Sequence, residues 1–125
     1  MIHATTIRVT TVGTNGVATG AGYSLAPLNG ELVSLAIDWN ASAPGTSDIA
    51  ITVEADADIP ALTLYGKSDS VADAVVYPRV QATSTAGDAI EGQYVPLPVT
   101  GRIKVAVTGC NALTNAVVVT AYVRN

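Results

Sequence analysis

The chain has 125 residues, 49% of them apolar and only 13% charged, with a net charge of −4. That length predicts one domain, residues 1–125, that hides roughly two-thirds of the surface its unfolded chain exposes. The six basic residues are scattered from Arg8 to Arg124 without a run or stripe, which argues against a nucleic-acid partner, and the single cysteine, Cys110, excludes an intrachain disulfide. Uninterrupted apolar stretches are only a few residues long, so neither a membrane span nor a secretory signal is expected and folding is expected in the cytoplasm. With no Phe and one Trp, the core should be thin and built from Ala, Val, Ile and Leu. So low a charged fraction is expected of a surface partly covered by partners.

Ile7 and Val9 mark a first strand, closed by the turn residues Gly13, Asn15 and Gly16. Residues 17–25 contain Gly20 and Gly22 and read as a weak edge strand or a bulged loop. Over residues 32–39, alternation sets Val33, Leu35, Ile37 and Trp39 on one face and Ser34, Ala36 and Asp38 on the other, the pattern of a central strand ending in a buried Trp. Ile49, Ile51 and Val53 alternate with Asp48, Ala50, Thr52 and Glu54, a strand able to pair with the preceding one as a wide hairpin.

Asp56 and Asp58 then form a polar turn, Leu62 and Leu64 a short strand, and residues 66–73 a polar loop. Val75, Tyr77 and Val80 follow with Pro78 interrupting them, and Pro96 and Pro98 flank Leu97 beside Tyr94 and Val95. Proline cannot donate to a ladder, so both segments are expected at an edge, a bend or a crossover. Ile103, Val105 and Val107 alternate with polar or small residues, and after residues 109–115 the same holds for Val117, Val119, Ala121 and Val123, which makes a closing hairpin. No segment supports a helix of three turns. Eight or nine strands so spaced predict an all-β, antiparallel two-sheet β-sandwich, jelly-roll-like, since the immunoglobulin version lacks its cysteine pair. Residues 1–6 are expected to form a flexible N-terminal arm.

Chemistry-bearing residues are sparse. The only histidine, His3, lies in that arm, where a general base is poorly held. Cys110 has no base to make it a thiolate and reads as a small, partly buried residue. No catalytic residue, cofactor or metal ligand is therefore assigned, and a histidine-built cupin metal site is excluded. Glu54, Asp56 and Asp58 are spaced by two, which aligns three carboxylates on an extended strand. That layout serves either a calcium locus or a solvated acidic strand end that discourages edge pairing. Residues 13–22 lack the Lys-Ser or Lys-Thr ending and the helix that a phosphate loop needs. Tyr23, Trp39, Tyr65, Tyr77, Tyr94 and Tyr122, the material for any sugar-stacking platform, are dispersed along the chain.

Four phrases in order, residues 30–40 (Gly-Glu-Leu-Val-Ser-Leu-Ala-Ile-Asp-Trp-Asn), the strand at 48–53, Tyr77-Pro78-Arg79, and residues 96–105 (Pro-Leu-Pro-Val-Thr-Gly-Arg-Ile-Lys-Val), carry a resemblance. The chain resembles small β-sandwich structural proteins of tailed bacteriophages, particularly head decoration or cement proteins, over residues 30–125. The resemblance implies a non-enzymatic virion protein, assembled in the host cytoplasm. Its copies, commonly trimers, would bind the major capsid protein on the outer face of the head and clamp the shell. It brings no catalytic residues. Ile2 and His3 in the arm, and Arg79 and Arg102 after Pro78 and Gly101, are the expected partner contacts. The alternative class is a receptor- or carbohydrate-binding β-sandwich of a phage tail or a cell surface.

Overall fold

Alternation in the sequence reappears as alternating burial. Ile103, Val105 and Val107, then Val117, Val119, Ala121 and Val123, are buried, while the residues between them are half-buried or exposed. The computed structural model describes residues 1–55 and 60–125. Among them the chain forms ten strands and no helix: β1 (Ile2–Val9), β2 (Ala18–Tyr23), β3 (Leu28–Trp39), β4 (Asp48–Val53), β5 (Leu62–Lys67), β6 (Ala74–Val76), β7 (Arg79–Thr83), β8 (Ala89–Gly101), β9 (Ile103–Cys110) and β10 (Val117–Arg124).

One sheet runs β1-β10-β3-β8-β7, with β6 also paired to β3; the other runs β2-β9-β4-β5, and every pairing is antiparallel. The result is a β-sandwich, with one strand more than the upper expectation because Tyr77 and Pro78 split the segment at 74–83 into β6 and β7. Its core joins Ile7, Leu35 and Val119 of one sheet to Ile51, Val105 and Val107 of the other, and Trp39 is the one aromatic residue buried in it among the described residues. Each such aliphatic side chain contributes roughly 1.5–3 kcal/mol on burial.

Five expectations change. Residues 2–6 are not an arm: β1 pairs with β10 from Ile2 opposite Arg124 to Val9 opposite Val117. The Asn125 N–H also donates to the Met1 carbonyl at 3.1 Å. Ladder bonds come from the backbone, so the weakly patterned Ala4-Thr5-Thr6 enters the sheet once β10 offers its edge. Val33 does not share the buried face. A register shift between Tyr122 and Val123 leaves it as the extra residue of a bulge, so Leu32 is buried and Val33 only half-buried.

The expected closing hairpin is not one: β9 pairs with β2 and β4 and β10 with β1 and β3, so the connection at 111–116 crosses from one sheet to the other and the two alternating segments face each other across the core. Nor do β3 and β4 form a hairpin. They lie in different sheets because β4 pairs with β9 and β5, whereas β3 pairs with β10, β8 and β6. The connection at 40–47 passes between layers, pinned by Ser42 N–H donating to Asn40 Oδ1 at 2.9 Å and by Ser47 Oγ donating to Pro44 O at 2.7 Å. Finally, part of the expected polar loop at 66–73 is strand, since β5 extends to Lys67.

The glycines of β2 have a packing reason. A Cβ at Gly20 or Gly22 would collide with the carbonyl oxygens of Thr10 and Arg8, so only glycine lets the backbone of the first segment lie against β2 and close that corner of the sandwich.

Candidate interaction surface

The long strand β8 changes partners along its length. Residues 97–101 pair with β3 and residues 89–96 with β7, while the next stretch of the β3 edge is taken by β6, Ala74 lying opposite Ile37. The first part of β8 and all of β7 therefore leave the sheet as a two-stranded ribbon. Pro96 and Pro98, which have no N–H, sit where the strand passes from one partner to the other. The ribbon closes through a turn in which Ser84 N–H donates to Asp88 O at 2.8 Å and Gly87, at φ 86°, donates to Ser84 O at 2.9 Å.

Not one residue from 79 to 96 is buried. Val80 lies opposite Val95, on the side that Leu97 and Val99 turn toward the core, so this pair continues the core face beyond the point where it is covered. Tyr94, opposite Gln81, occupies the other side and is 63% exposed, as is Tyr77 just before β7. With Val75 and Ile90 these residues make six of the fourteen large apolar side chains exposed among the described residues. A ribbon of two strands with apolar groups on both faces has little stability of its own in water. These exposed apolar groups make the ribbon the candidate contact surface among the described residues.

Arg79 anchors its base. The Nη1 group donates to Pro78 O at 2.8 Å and to Val33 O at 3.4 Å, so the expected partner-contact arginine is tied to main-chain carbonyls.

At the opposite end of β8, Arg102 follows the corner at Gly101, whose φ of 130° turns the chain into β9. Arg102 Nε donates to Ser24 O at 3.1 Å, and its guanidinium carbon stands 5.0 Å from the Tyr23 ring centroid. Lys104, paired with Tyr23 across β2 and β9, holds its ammonium 5.9 Å from the same centroid. Ser24 Oγ donates to Ala26 O and accepts the buried Ile103 N–H, fixing the loop beneath them, and Leu25 beside it is fully exposed. Glu54 shares a hollow with Arg102 at this corner.

Ile2 and His3 sit on the outer sheet edge. Ile2 is half exposed, and His3 Nε2 lies 3.1 Å from Asn125 Oδ1. A hollow shared by His3 and Leu28 adjoins one shared by Leu28 and Arg102, so these residues occupy one end of the sandwich while Arg79 stands at the base of the ribbon. The four expected contacts thus do not form one patch. Cys110 is completely buried at the end of β9. Asp56 and Asp58 lie outside the described residues, and among the described ones no three His, Cys, Asp or Glu side chains gather as a metal group. Trp39 is buried and unavailable for stacking on sugar.

Sequence reasoning missed the ribbon. Val80 and Val95 alternate as core residues do, and only the prolines at 78, 96 and 98 hinted that their strands leave the sheet. No protein-family model matches the chain, and no curated protein matches its sequence.

Proposed function

We propose that this protein is a non-enzymatic structural component of a phage virion, a decoration or cement protein that binds the major capsid protein on the outer surface of the head. It works as a homo-oligomer, a trimer in this reading, and joins the shell after folding in the host cytoplasm. The observation that carries the reading is the β7–β8 ribbon: Val80, Val95, Ile90 and Tyr94 have no core of their own and are stabilised only when another protein covers them. The resemblance over residues 30–125 supplies the setting, and a surface with few charges suits a crowded lattice.

Co-sedimentation with expanded, empty capsids tests it. Saturable binding at a fixed ratio to shell subunits is expected; no binding at any ratio overturns it. A second reading, a carbohydrate-binding module, draws on Tyr77 and Tyr94, the two most exposed tyrosines, both bordering the ribbon. A glycan array decides that one, with binding that Tyr94→Ala abolishes as its signature.

A further inference from the structure

We propose that the β7–β8 ribbon of one copy docks on the β2–β9 corner of the next, so that copies associate head to tail. The proposal rests on the self-association in the functional reading above and names the two surfaces that carry it.

The surfaces are complementary in both polarity and charge. The ribbon offers Val80, Ile90, Tyr94 and Val95 together with two exposed acids, Asp88 at its turn and Glu91. The corner offers Tyr23 and the fully exposed Leu25 together with Arg102 and Lys104. Arg102 is already held by its bond to Ser24 O and both cations by the Tyr23 ring, so little side-chain freedom is lost when an acid arrives. Each surface also holds one charge of the other sign, Arg79 at the ribbon base and Glu54 beside Arg102. Arg79 is occupied with the carbonyls of Pro78 and Val33, and Glu54 lies in the hollow behind the corner.

These surfaces cannot meet within one molecule. Tyr94 and Arg102 are separated by the paired, extended part of β8, a run of roughly 25 Å at the rise of a strand. Contact therefore joins two copies through different patches, a heterologous interface that closes into a ring when its rotation permits. The symmetrical alternative, ribbon against ribbon, would set Asp88 and Glu91 of both copies in one interface on a chain whose net charge is already −4.

Charge exchange tests this directly, with native mass measured by sedimentation velocity across a range of protein and salt concentrations. The wild-type protein is expected to be oligomeric and to dissociate more readily as salt rises. Asp88→Lys with Glu91→Lys should lose the oligomeric mass, and so should Arg102→Glu with Lys104→Glu. All four together should restore it, because the signs are complementary again; that recovery also shows that the pairs had not simply unfolded. A monomeric wild type, an oligomer indifferent to either pair, or a folded fourfold variant that stays monomeric overturns the proposal. Co-sedimentation of the same samples with empty capsids separates the two readings. Wild-type monomers that bind shells overturn the docking and keep the function, whereas charge-dependent oligomers that ignore shells do the reverse.

Discussion

Arg79 reaches from the base of the ribbon to the carbonyl oxygen of Val33, the residue that the bulge forces out of register in β3, at 3.4 Å. Two irregularities are thereby joined: the bulge presents a carbonyl, and the departing ribbon supplies the donor for it. Arg79→Ala should cost only about 1 kcal/mol in global stability, since the bond is exposed. Its larger effect is local. Amide exchange in β7 should accelerate while β9 and β10 keep their protection, and unchanged exchange in β7 would show that the arginine anchors nothing.

Gly20→Ala and Gly22→Ala should each destabilise by about 1–3 kcal/mol, because the new methyl meets the Thr10 or Arg8 carbonyl oxygen and the backbone must shift. Gly45→Ala serves as the control, with nothing within 4 Å of its Cβ. Urea midpoints compare the three; equal midpoints would remove the packing reason for the glycines of β2.

Val80→Ser with Val95→Ser should leave the unfolding free energy of the isolated chain, read from urea titration, within about 1 kcal/mol of wild type, as expected where the opposing layer is missing. Capsid co-sedimentation should fall sharply in the same variant. Val105→Ala, in the buried core, should do the opposite, costing about 2–4 kcal/mol in stability. A ribbon variant as unstable as the core variant would mean that Val80 and Val95 are structural after all.

Deleting residues 1–6 should lower stability by about 2–4 kcal/mol, because it strips the ladder from the end of β10 at Thr120 to Arg124. A flexible arm would have cost nothing in this assay. Thermal melting of the shortened chain distinguishes the outcomes, and an unchanged midpoint would restore the arm.

Much of the fold was legible because a strand's side chains alternate wherever it sits. Ile49, Ile51 and Val53, or Val117, Val119 and Val123, needed no partner to reveal their buried face. Val33 was misread because a bulge shifts the period by one residue, and its cause lies in the register with Tyr122 and Val123, far along the chain. Of the expected contact residues, Arg79 stands at the base of the ribbon and Arg102 at the β2–β9 corner, each following a residue that bends the chain. Tyr23 and Lys104 carried no signal, since their meeting depends on the pairing of β2 with β9.

The sequence by itself determined that the protein is all-β, where most strands lie and which side chains turn to the same face, because these follow from steric alternation within each segment. Only the tertiary structure decided that β3 and β4 belong to different sheets, as do β9 and β10, that residues 2–6 join a ladder, and that the Val80 and Val95 pair is left partly exposed. Alternation gives a side chain its direction. Burial requires a second layer opposite it, and which distant strand supplies that layer, or whether any does, is settled by competition among all the edges of the folded chain.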